Sequence, residues 1–482
     1  MVISERQFAL LDQQVFAEVS GDFNPIHTDP IAARRLPFGE PIVHGIHLVL
    51  WGLEQILADQ LVEASGLEIV RLQANFKIPV KLGMTVKLVE TRPEVDTQGF
   101  DILLSDKRAV SCLFEIQRVG ISPESLSPTQ DDRSCKELVF EDLTHCQGEF
   151  DLRMHHLKVG SLFPTLSKYL HVSHLATVLT CSRLVGMECP GMHSLFSNLE
   201  LRRRDEYKRN FAYACTMADD RFQLVKLEVS SANLHGQLSV FFRPPPVMQN
   251  SSASIIPMLQ GLKFENEIAL CIGGSRGLGE AMSKILAMMG ADVILTYRCG
   301  RDDAEVVVDD IRDAGGRAEA WQLDVMDDAS VSAFLLKIKR KQISHFSYFA
   351  APLIEPSTTK ELSTALLKKY QGIFVEGFEQ LAGNLAAYSQ APLTIFYPST
   401  TFLDDGGKRF REYCVAKSQA EAICWSLEAS YPHVRAIVPR LPQVYTDQTS
   451  RLPQNILSSA VDLLLLSMPK LSESFVQRSN RA

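Results

Sequence analysis

The stretch AEVSGDFNPIH, residues 17–27, is the part of the chain from which its fold can first be argued. PIVHG, residues 41–45, follows it and leads into an apolar segment that predicts a helix over 44–61. An acid, Asp22, and an imidazole, His27, stand beside a turn that proline stiffens. A carboxyl and an imidazole at this spacing suit proton transfer next to a polarised carbonyl group.

Strand-like runs follow the predicted helix at 68–76, 85–92, 100–105 and 109–117. A helix followed by a series of strands predicts an α+β domain with one sheet packed on a helix.

A second segment repeats this plan, with a helix over 172–185 and strands over 194–202, 210–216, 222–229 and 236–242. The sequence PGMHS at 190–194 shares the pattern Pro-x-x-His-small with 41–45, which favours an internal duplication.

A third segment alternates strands and helices, with strands at 268–272, 292–297 and 317–323 and helices at 279–289 and 304–314. This order predicts a parallel, doubly wound α/β sheet. Polar or proline-rich linkers at 122–136 and 243–254 separate the three segments. We therefore expect domains at 1–125, 137–246 and 262–482.

The 482 residues are 46% hydrophobic and 22% charged, which suits a globular protein with several cores. A net charge of −8 disfavours nucleic-acid binding. The ten cysteines form no CxxC pair or metal-ligand spacing, so we expect reduced thiols, no metal site and a cytoplasmic location. The chain shows no signal-peptide pattern and no apolar run of about 18 residues, so no membrane segment is expected.

Elimination of water from a 3-hydroxyacyl thioester needs one group to remove the α-proton and another to protonate the departing hydroxyl. Asp22 and His27 have this chemistry, and Asn24 can fix the loop between them. Gly45, at the start of the next helix, lets a substrate approach backbone N–H donors closely.

Residues 16–45 resemble the hydratase motif of the MaoC-like, (R)-specific enoyl-thioester hydratases and dehydratases, which have a hotdog fold. The resemblance implies that Asp22 and His27 are catalytic, that the Gly45 backbone lies near the thioester oxygen, and that Asn24 supports them. Asn24 and Gly45 are therefore the candidate substrate-binding residues. The second segment resembles a degenerate hotdog repeat, as in double-hotdog members of that group. It lacks the acid–histidine motif, so we interpret it as a structural partner, and we interpret His193 as a core or interface residue.

A glycine-rich turn follows the first strand of the third segment and opens a helix. Gly273 permits the tight turn, Gly277 lets the backbone approach cofactor phosphates, and Gly279 allows close helix–sheet packing. The other candidate cofactor-binding residues of this turn are Ser275, Arg276 and Leu278.

The strand after that turn ends at Arg298, where an acidic residue would bind the ribose hydroxyls of NAD. Because arginine suits a 2′-phosphate and Arg276 adds positive charge, the sequence predicts NADP(H). Asp324 and Val325 follow the third strand and are expected to contact the adenine.

Tyr413 and Lys417 are four residues apart and share one helix face. A lysine beside the phenol is expected to lower the tyrosine pKa, so that Tyr413 exchanges a proton with a substrate oxygen. Ser399 and Thr400 follow the strand at 393–396, and either hydroxyl is a candidate to orient a carbonyl.

Residues 264–450 resemble the short-chain dehydrogenases/reductases. The resemblance maps the family's Tyr and Lys to Tyr413 and Lys417, and its Ser to Ser399 or Thr400. Three motifs depart from the family pattern: 349–352 read FAAP, the helix asparagine is replaced by Glu376, and 440–443 read RLPQ.

Together these observations predict a bifunctional enzyme of fatty-acid or polyketide-type metabolism. It would reduce a 3-oxoacyl thioester of coenzyme A or an acyl-carrier protein with NADPH, and dehydrate the 3-hydroxy product. Two alternatives stay open: hydration followed by oxidation, as in β-oxidation, and a hydratase fused to a silent reductase-like domain. The resemblance also implies a homo-oligomer.

Overall fold

The computed structural model describes residues 2–60, 66–91, 97–120, 126–128, 132–259, 263–357, 361–450, 452 and 456–467. It divides the chain into two compact units, residues 1–245 and 246–482. The domains expected at 1–125 and 137–246 therefore fall within one unit, and their apolar side chains form one continuous hydrophobic core.

The first unit is built on an eight-stranded sheet in which every pairing is antiparallel. Its strands are β1 (Val2–Gln7), β2 (Gly66–Phe76), β3 (Thr85–Thr91), β4 (Gln98–Leu104), β5 (Lys107–Val119), β6 (Gln147–Asp151), β7 (Ser194–Asp219) and β8 (Leu224–Phe242). The order along the sheet is β1-β3-β4-β5-β2-β7-β6, and β8 pairs with β7. The β2–β7 pairing joins the two halves of the unit.

The helices of this unit are α1 (Leu10–Ser20), α2 (Pro25–Thr28), α3 (Pro30–Ala33), α4 (Gly45–Gln60), α5 (His156–Leu162), α6 (Pro164–Tyr169) and α7 (Val172–Arg183). A 3₁₀ turn spans Phe140–His145, and a π-helical turn spans Leu184–Glu188. Although α7 carries several hydroxyl groups, it is buried along most of its length, because Thr177 and Thr180 donate to carbonyls one turn earlier in the helix.

The predicted division of the second segment into four strands is wrong. The runs predicted at 194–202 and 210–216 belong to the single strand β7, and those at 222–229 and 236–242 belong to β8. Bulges explain the difference, since the β7–β8 register shifts at several points without breaking the pairing. Exposed charged residues at the bulges look like a loop in the sequence.

The pattern shared by 41–45 and 190–194 does not mark equivalent positions. The first copy precedes helix α4, whereas the second follows α7 and leads directly into strand β7. His193 of that second copy is buried, with Nε2 3.3 Å from Glu137 Oε1. The short match therefore gives no support for a duplication.

The second unit contains the predicted parallel sheet, in the order β11-β10-β9-β12-β13-β15. The strands of this unit are β9 (Ile268–Ile272), β10 (Asp292–Tyr297), β11 (Arg317–Gln322), β12 (His345–Tyr348), β13 (Leu393–Phe396), β14 (Ser399–Thr400), β15 (Val434–Ile437) and β16 (Arg440–Leu441). Strands β14 and β16 pair with each other outside the six-stranded sheet. Its helices are α8 (Ser252–Ile255), α9 (Gly277–Met288), α10 (Arg301–Asp313), α11 (Asp328–Ile338), α12 (Thr364–Gln371), α13 (Gly377–Tyr388) and α14 (Arg411–Ser430).

Within the described ranges, no helix combines the length and the hydropathy that crossing a bilayer requires.

His47 lies inside an aromatic cluster of the first unit. Its ring stacks on Phe16 at a centroid distance of 4.6 Å and meets the edges of Phe8 and Phe163. It is fully buried, and neither ring nitrogen has a hydrogen-bond partner. Burying unpaired nitrogens costs free energy that an all-carbon ring does not lose.

We expect His47→Phe to raise the free energy of unfolding by about 1 kcal/mol, because it removes two unpaired polar atoms from an apolar cluster. Urea unfolding followed by circular dichroism measures this. The matched control is His174→Phe, since His174 is equally buried but bonds Ile69 N–H and Asn233. That variant should lose about 1–3 kcal/mol. Destabilisation of His47→Phe by a similar amount would contradict the prediction.

Candidate active sites

Asp22 lies just after helix α1, which ends at Gly21 in the left-handed conformation with φ 77°. Glycine adopts this conformation without strain, so the chain can turn sharply and direct Asp22 inward. Asn24 then caps helix α2, where its Oδ1 accepts the N–H of Ile26 at 3.1 Å. His27 sits on α2, so this short helix fixes the catalytic candidates relative to each other.

The two candidates lie close together. The side-chain ligand atoms of Asp22, His27 and His44 are within 4.8 Å of one another. His27 Nδ1 lies 2.8 Å from the carbonyl oxygen of Ile42 and must donate to it, which leaves Nε2 with a lone pair. Burial raises the pKa of the Asp22 carboxyl to about 7 and lowers the pKa of His27 to about 4.

The second half of the unit supplies contacts to Asp22 that the sequence analysis missed. Ser182, on α7, donates a hydrogen bond of 2.7 Å to Asp22 Oδ2, which partly offsets the effect of burial on its pKa. A Cβ atom at Gly186 would lie 2.0 Å from Asp22 Oδ1, so only glycine fits there. Both residues are about 160 positions from Asp22, and no local pattern in the sequence marks them.

Asn24, a candidate substrate-binding residue, does not line the cavity beside Asp22. Its side chain is buried, and its amide donates to the carbonyl oxygens of Gly186 at 2.8 Å and Gly191 at 3.2 Å. Asn24 therefore joins the acid–histidine loop to the second half of the unit.

A cavity of about 130 Å³ opens beside the acid–histidine pair. Asp22, His27 and Gly45 form its polar end, and apolar side chains from both halves form its walls. Those apolar residues include Val43, Leu48, Phe76, Val185, Leu195, Phe196 and Phe241. At Gly45 a Cβ atom would lie 2.8 Å from the Phe76 ring, so this glycine allows the close packing of α4 against that ring.

His44 is a further member of this cluster and was not among the predicted site residues. Its ring stacks on that of His27 with centroids 3.8 Å apart. Nε2 lies 3.0 Å from the Asp22 carbonyl oxygen, and Nδ1 lies 2.9 Å from Gln13 Oε1. Both ring nitrogens thus face oxygen atoms of the protein, so the cluster is a hydrogen-bonded assembly rather than an open set of metal ligands.

In the second unit, the glycine-rich turn is shaped for close backbone approach. Gly273 and Gly277 have φ of 75° and 59°, and Thr296 Oγ1 accepts the N–H of Gly273 at 3.0 Å. A Cβ atom at Gly279 would lie 2.1 Å from the Gly273 carbonyl oxygen. Ser275 is buried, and Leu278 packs against the hydrophobic core at the start of α9. This cradle fits a dinucleotide pyrophosphate at a helix N-terminus.

Arg298 and Asp324 line a polar cavity of about 660 Å³ beyond the ends of β10 and β11. Arg276 does not line this cavity, and its Nη1 lies 3.5 Å from Asp447 Oδ2. Val325 also lies outside the lining and packs against Gly377. The structure therefore places Arg298 and Asp324 in the lining of one cavity, which Val325 does not line.

The two candidate hydroxyls, of Ser399 and Thr400, are both buried. The Thr400 side chain lowers the pKa of Tyr413, and the Ser399 side chain lowers that of Glu421. Lys417 donates a hydrogen bond of 2.6 Å to the Pro398 carbonyl oxygen. Its ammonium nitrogen lies 5.9 Å from the centroid of the Tyr413 ring.

The expectation that Lys417 lowers the pKa of Tyr413 is not met. Burial raises the tyrosine pKa, and only the hydrogen bond with Thr400 opposes the rise. Burial also lowers the pKa of Lys417 to about 7. Removal from water disfavours the phenolate and the ammonium alike.

Two of the three altered motifs, FAAP and the helix turn that contains Glu376, are packed within the second unit. A Cβ atom at Gly273 would lie 2.8 Å from Ala350 N, so the FAAP segment lies against the glycine-rich turn. Glu376 ends a π-helical turn over Gly372–Glu376. Tyr348 and Tyr397 donate hydrogen bonds of 2.5 and 3.2 Å to carbonyls within that turn.

Sequence models of two protein families match the chain, the MaoC like domain over residues 4–105 and the short chain dehydrogenase over residues 267–345. The short-chain dehydrogenase/reductase homolog YusS of Bacillus subtilis (strain 168) is 41% identical over 73 residues, which are 15% of this chain and 67% of YusS. The 3-hydroxybutyryl-CoA dehydratase of Methylorubrum extorquens is 33% identical over 93 residues, 19% of this chain and 56% of that protein.

Versicolorin reductase stcU of Emericella nidulans is 35% identical over 86 residues, 18% of this chain and 31% of that protein. Among solved structures, a short chain dehydrogenase from Burkholderia cenocepacia J2315 in complex with NADP aligns with a TM-score of 0.39 and 20% identity. That alignment covers 42% of this chain and 89% of the other. The chain spans less than a third of the length of the first curated oxidoreductases that it matches.

The two family matches define a multidomain protein that combines a MaoC-like domain with a domain of the short-chain dehydrogenase type. The chain belongs to the short-chain dehydrogenase/reductase family through its second unit, and it carries a MaoC-like domain at its N-terminus.

We expect Ser182→Ala to raise the pKa of Asp22 by about one unit above its value near 7, because the lost hydrogen bond favours the carboxylate. A ¹³C NMR titration of the carboxyl carbons measures the change. Thr180→Val on the same helix is the control, since that hydroxyl donates to the Ala176 carbonyl. An unchanged or lowered Asp22 pKa in Ser182→Ala would show that the serine does not stabilise the carboxylate.

Proposed function

We propose that this chain is a bifunctional acyl-thioester enzyme. Its first unit interconverts 3-hydroxyacyl and 2-enoyl thioesters, and its second unit reduces 3-oxoacyl thioesters. The observation that supports the first activity best is that Asp22 and His27 lie within 4.8 Å of each other in the lining of one cavity. Burial there raises the pKa of Asp22 to about 7 and lowers that of His27 to about 4. Such a pair holds an acid and a base side by side near neutral pH.

In the dehydration direction, His27 Nε2 removes the α-proton, because the ring is neutral above about pH 4 and Nδ1 is held by Ile42. Protonated Asp22 gives its proton to the departing β-hydroxyl, and water leaves. Backbone N–H groups at the start of α4, beside Gly45, would stabilise the enolate oxygen. Hydration uses the same groups in reverse.

The cavity supports an acyl group of modest length. Its volume of about 130 Å³ is of the order of cavities that hold a benzene molecule, so we propose acyl chains of about four to six carbons. We further propose (R)-specificity, as the resemblance to the (R)-specific hydratases implies. We also propose a double hotdog, with halves at 1–125 and 137–246, because one sheet carries a central helix in each half.

In the second unit, at 262–482, we propose that Tyr413 supplies the proton that the substrate oxygen gains on reduction, with Thr400 orienting that oxygen. Lys417 is buried beside Tyr413 and can hold or release a proton near neutral pH. NADPH supplies the hydride when it is bound. Gly273, Gly277 and Gly279 would hold its pyrophosphate, and Arg298 its 2′-phosphate.

Both steps act on the same β-carbon, which gives a chemical reason for placing them on one chain. We propose reduction before dehydration, on thioesters of coenzyme A or an acyl-carrier protein, in a cytoplasmic homo-oligomer. A second candidate is a hydratase with a silent reductase-like unit. The altered motifs and the engagement of Lys417 with Pro398 favour it.

We expect Asp22→Asn and His27→Ala each to lower hydration of a four-carbon enoyl thioester by about 10²–10⁴-fold, because each removes one proton-transfer group. Tyr413→Phe should remove 3-oxoacyl reduction and leave hydration unchanged. Absorbance of the enoyl thioester and of NADPH reports the two rates separately.

Tyr388→Phe is the control for the reductase, since Tyr388 is exposed at the end of α13. Equal reduction rates in Tyr413→Phe and the parent protein would favour the silent-domain candidate. Full hydratase activity in both N-terminal variants would refute the proposed site.

Arg298→Glu should lower the ratio of kcat/KM for NADPH to that for NADH by at least about tenfold, because a carboxylate repels a 2′-phosphate and accepts ribose hydroxyls. The matched control is Arg301→Glu on the exposed surface of α10. An unchanged ratio in Arg298→Glu would argue against this residue as the phosphate partner.

A further inference from the structure

His44 contacts both residues of the proposed hydratase pair. It is fully buried at the start of α4, and its ring is within 3.8 Å of the His27 ring, centroid to centroid, at an interplanar angle of 25°. On its other side, the ring of Phe16 lies at 4.8 Å. This packing fixes the orientation of the His44 ring, against which the His27 ring stacks.

His44 also holds the backbone of Asp22. Its Nε2 lies 3.0 Å from the Asp22 carbonyl oxygen, whereas the Asp22 carboxylate is 3.9 Å away. A buried carbonyl needs a donor, and His44 Nε2 meets that need when it carries the ring proton. The contact therefore sets the position of the backbone from which the carboxyl extends.

Gln13 determines how the His44 ring is oriented. Gln13 Oε1 accepts the backbone N–H of His44 at 3.0 Å and lies 2.9 Å from His44 Nδ1. Both ring nitrogens lie at hydrogen-bond distance from acceptor oxygens, so a neutral ring donates to only one of them. Gln13 Oε1 already accepts the His44 backbone N–H, whereas the Asp22 carbonyl has no other donor among the described residues, so we assign the imidazole proton to Nε2. The geometry thus favours the Nε2–H tautomer of a neutral ring.

The titratable groups that face His44 are Asp22, His27 and His47. Arg6 acts on His47, and Arg243 acts on His27. Burial and the neighbouring His27 lower the pKa of His44, so the ring is neutral at pH 7. A neutral ring stacked on His27 adds no charge to the base.

We propose that His44 is a positioning residue: the Nε2–H group of His44 fixes the backbone of Asp22, and its ring stacks against the ring of His27. This inference rests on the proposed hydratase function. It predicts that removing the Nε2 donor lowers turnover, while substrate binding at the cavity wall changes little. One buried ring thereby aligns the acid and the base with each other.

His47 is a natural control, because it is equally buried on the same helix but neither of its ring nitrogens has a partner. We expect His44→Phe to lower kcat by about 30–100-fold with KM within about threefold, as expected for misplaced catalytic groups. His44→Gln keeps an N–H near Nε2 and should retain at least about a third of kcat. His47→Phe should retain the parent kcat.

A kcat of His44→Phe within threefold of the parent value would overturn the proposal, as would equal losses in His44→Phe and His44→Gln. If His44→Phe fails to fold, His44→Gln and His44→Asn decide instead. Asparagine keeps a donor only near Nδ1, so an active Gln variant with an impaired Asn variant supports the proposal, and the reverse pattern overturns it.

A measurement that needs no turnover separates this inference from the proposed function. Long-range ¹H–¹⁵N NMR of histidine-labelled protein should show His44 as the Nε2–H tautomer at pH 7, and an Nδ1–H tautomer would overturn the assignment. His44→Phe should also shift the His27 and Asp22 side-chain resonances, whereas His47→Phe should not. If the parent protein hydrates no enoyl thioester, the proposed function fails, and these NMR results still decide whether His44 positions the pair.

Discussion

Burial of the Asp22 carboxyl is the constraint on which the first unit depends. A carboxyl that loses water favours its protonated form, and this makes Asp22 an acid near neutral pH. Helix α7 and the following π-helical turn contribute to this burial, because Ser182 and Gly186 contact the Asp22 carboxyl directly. The half that lacks the acid–histidine motif therefore completes the environment that the motif needs.

The same physical effect has a different result in the second unit. Burial raises the pKa of Tyr413 and lowers that of Lys417, so both side chains favour their neutral forms. A neutral phenol is suited to donate a proton to a substrate oxygen that becomes negative. The hydroxyl of Thr400 is the group that opposes the rise in the tyrosine pKa, which links β14 to α14.

The glycines of the two sites show how one residue type serves different constraints. Gly273 and Gly277 adopt positive φ, and Gly279 leaves room for the Gly273 carbonyl. These roles follow from a local pattern and were predicted from it. Gly186 has no such pattern around it, because the atom that excludes a side chain there belongs to Asp22, from the other half of the unit.

The sequence by itself determined the features that depend on neighbouring residues: the acid–histidine loop before an apolar helix, the glycine-rich turn in its strand–turn–helix setting, and the Tyr413–Lys417 pair on one helix. Local geometry follows from local spacing, so these could be predicted. Only the tertiary structure decided that β7 and β8 run unbroken through their bulges, that the Thr400 side chain acts on the pKa of Tyr413, and that Ser182 and His44 contact Asp22. Each of these depends on burial and on contacts between distant segments, which no short stretch of sequence records.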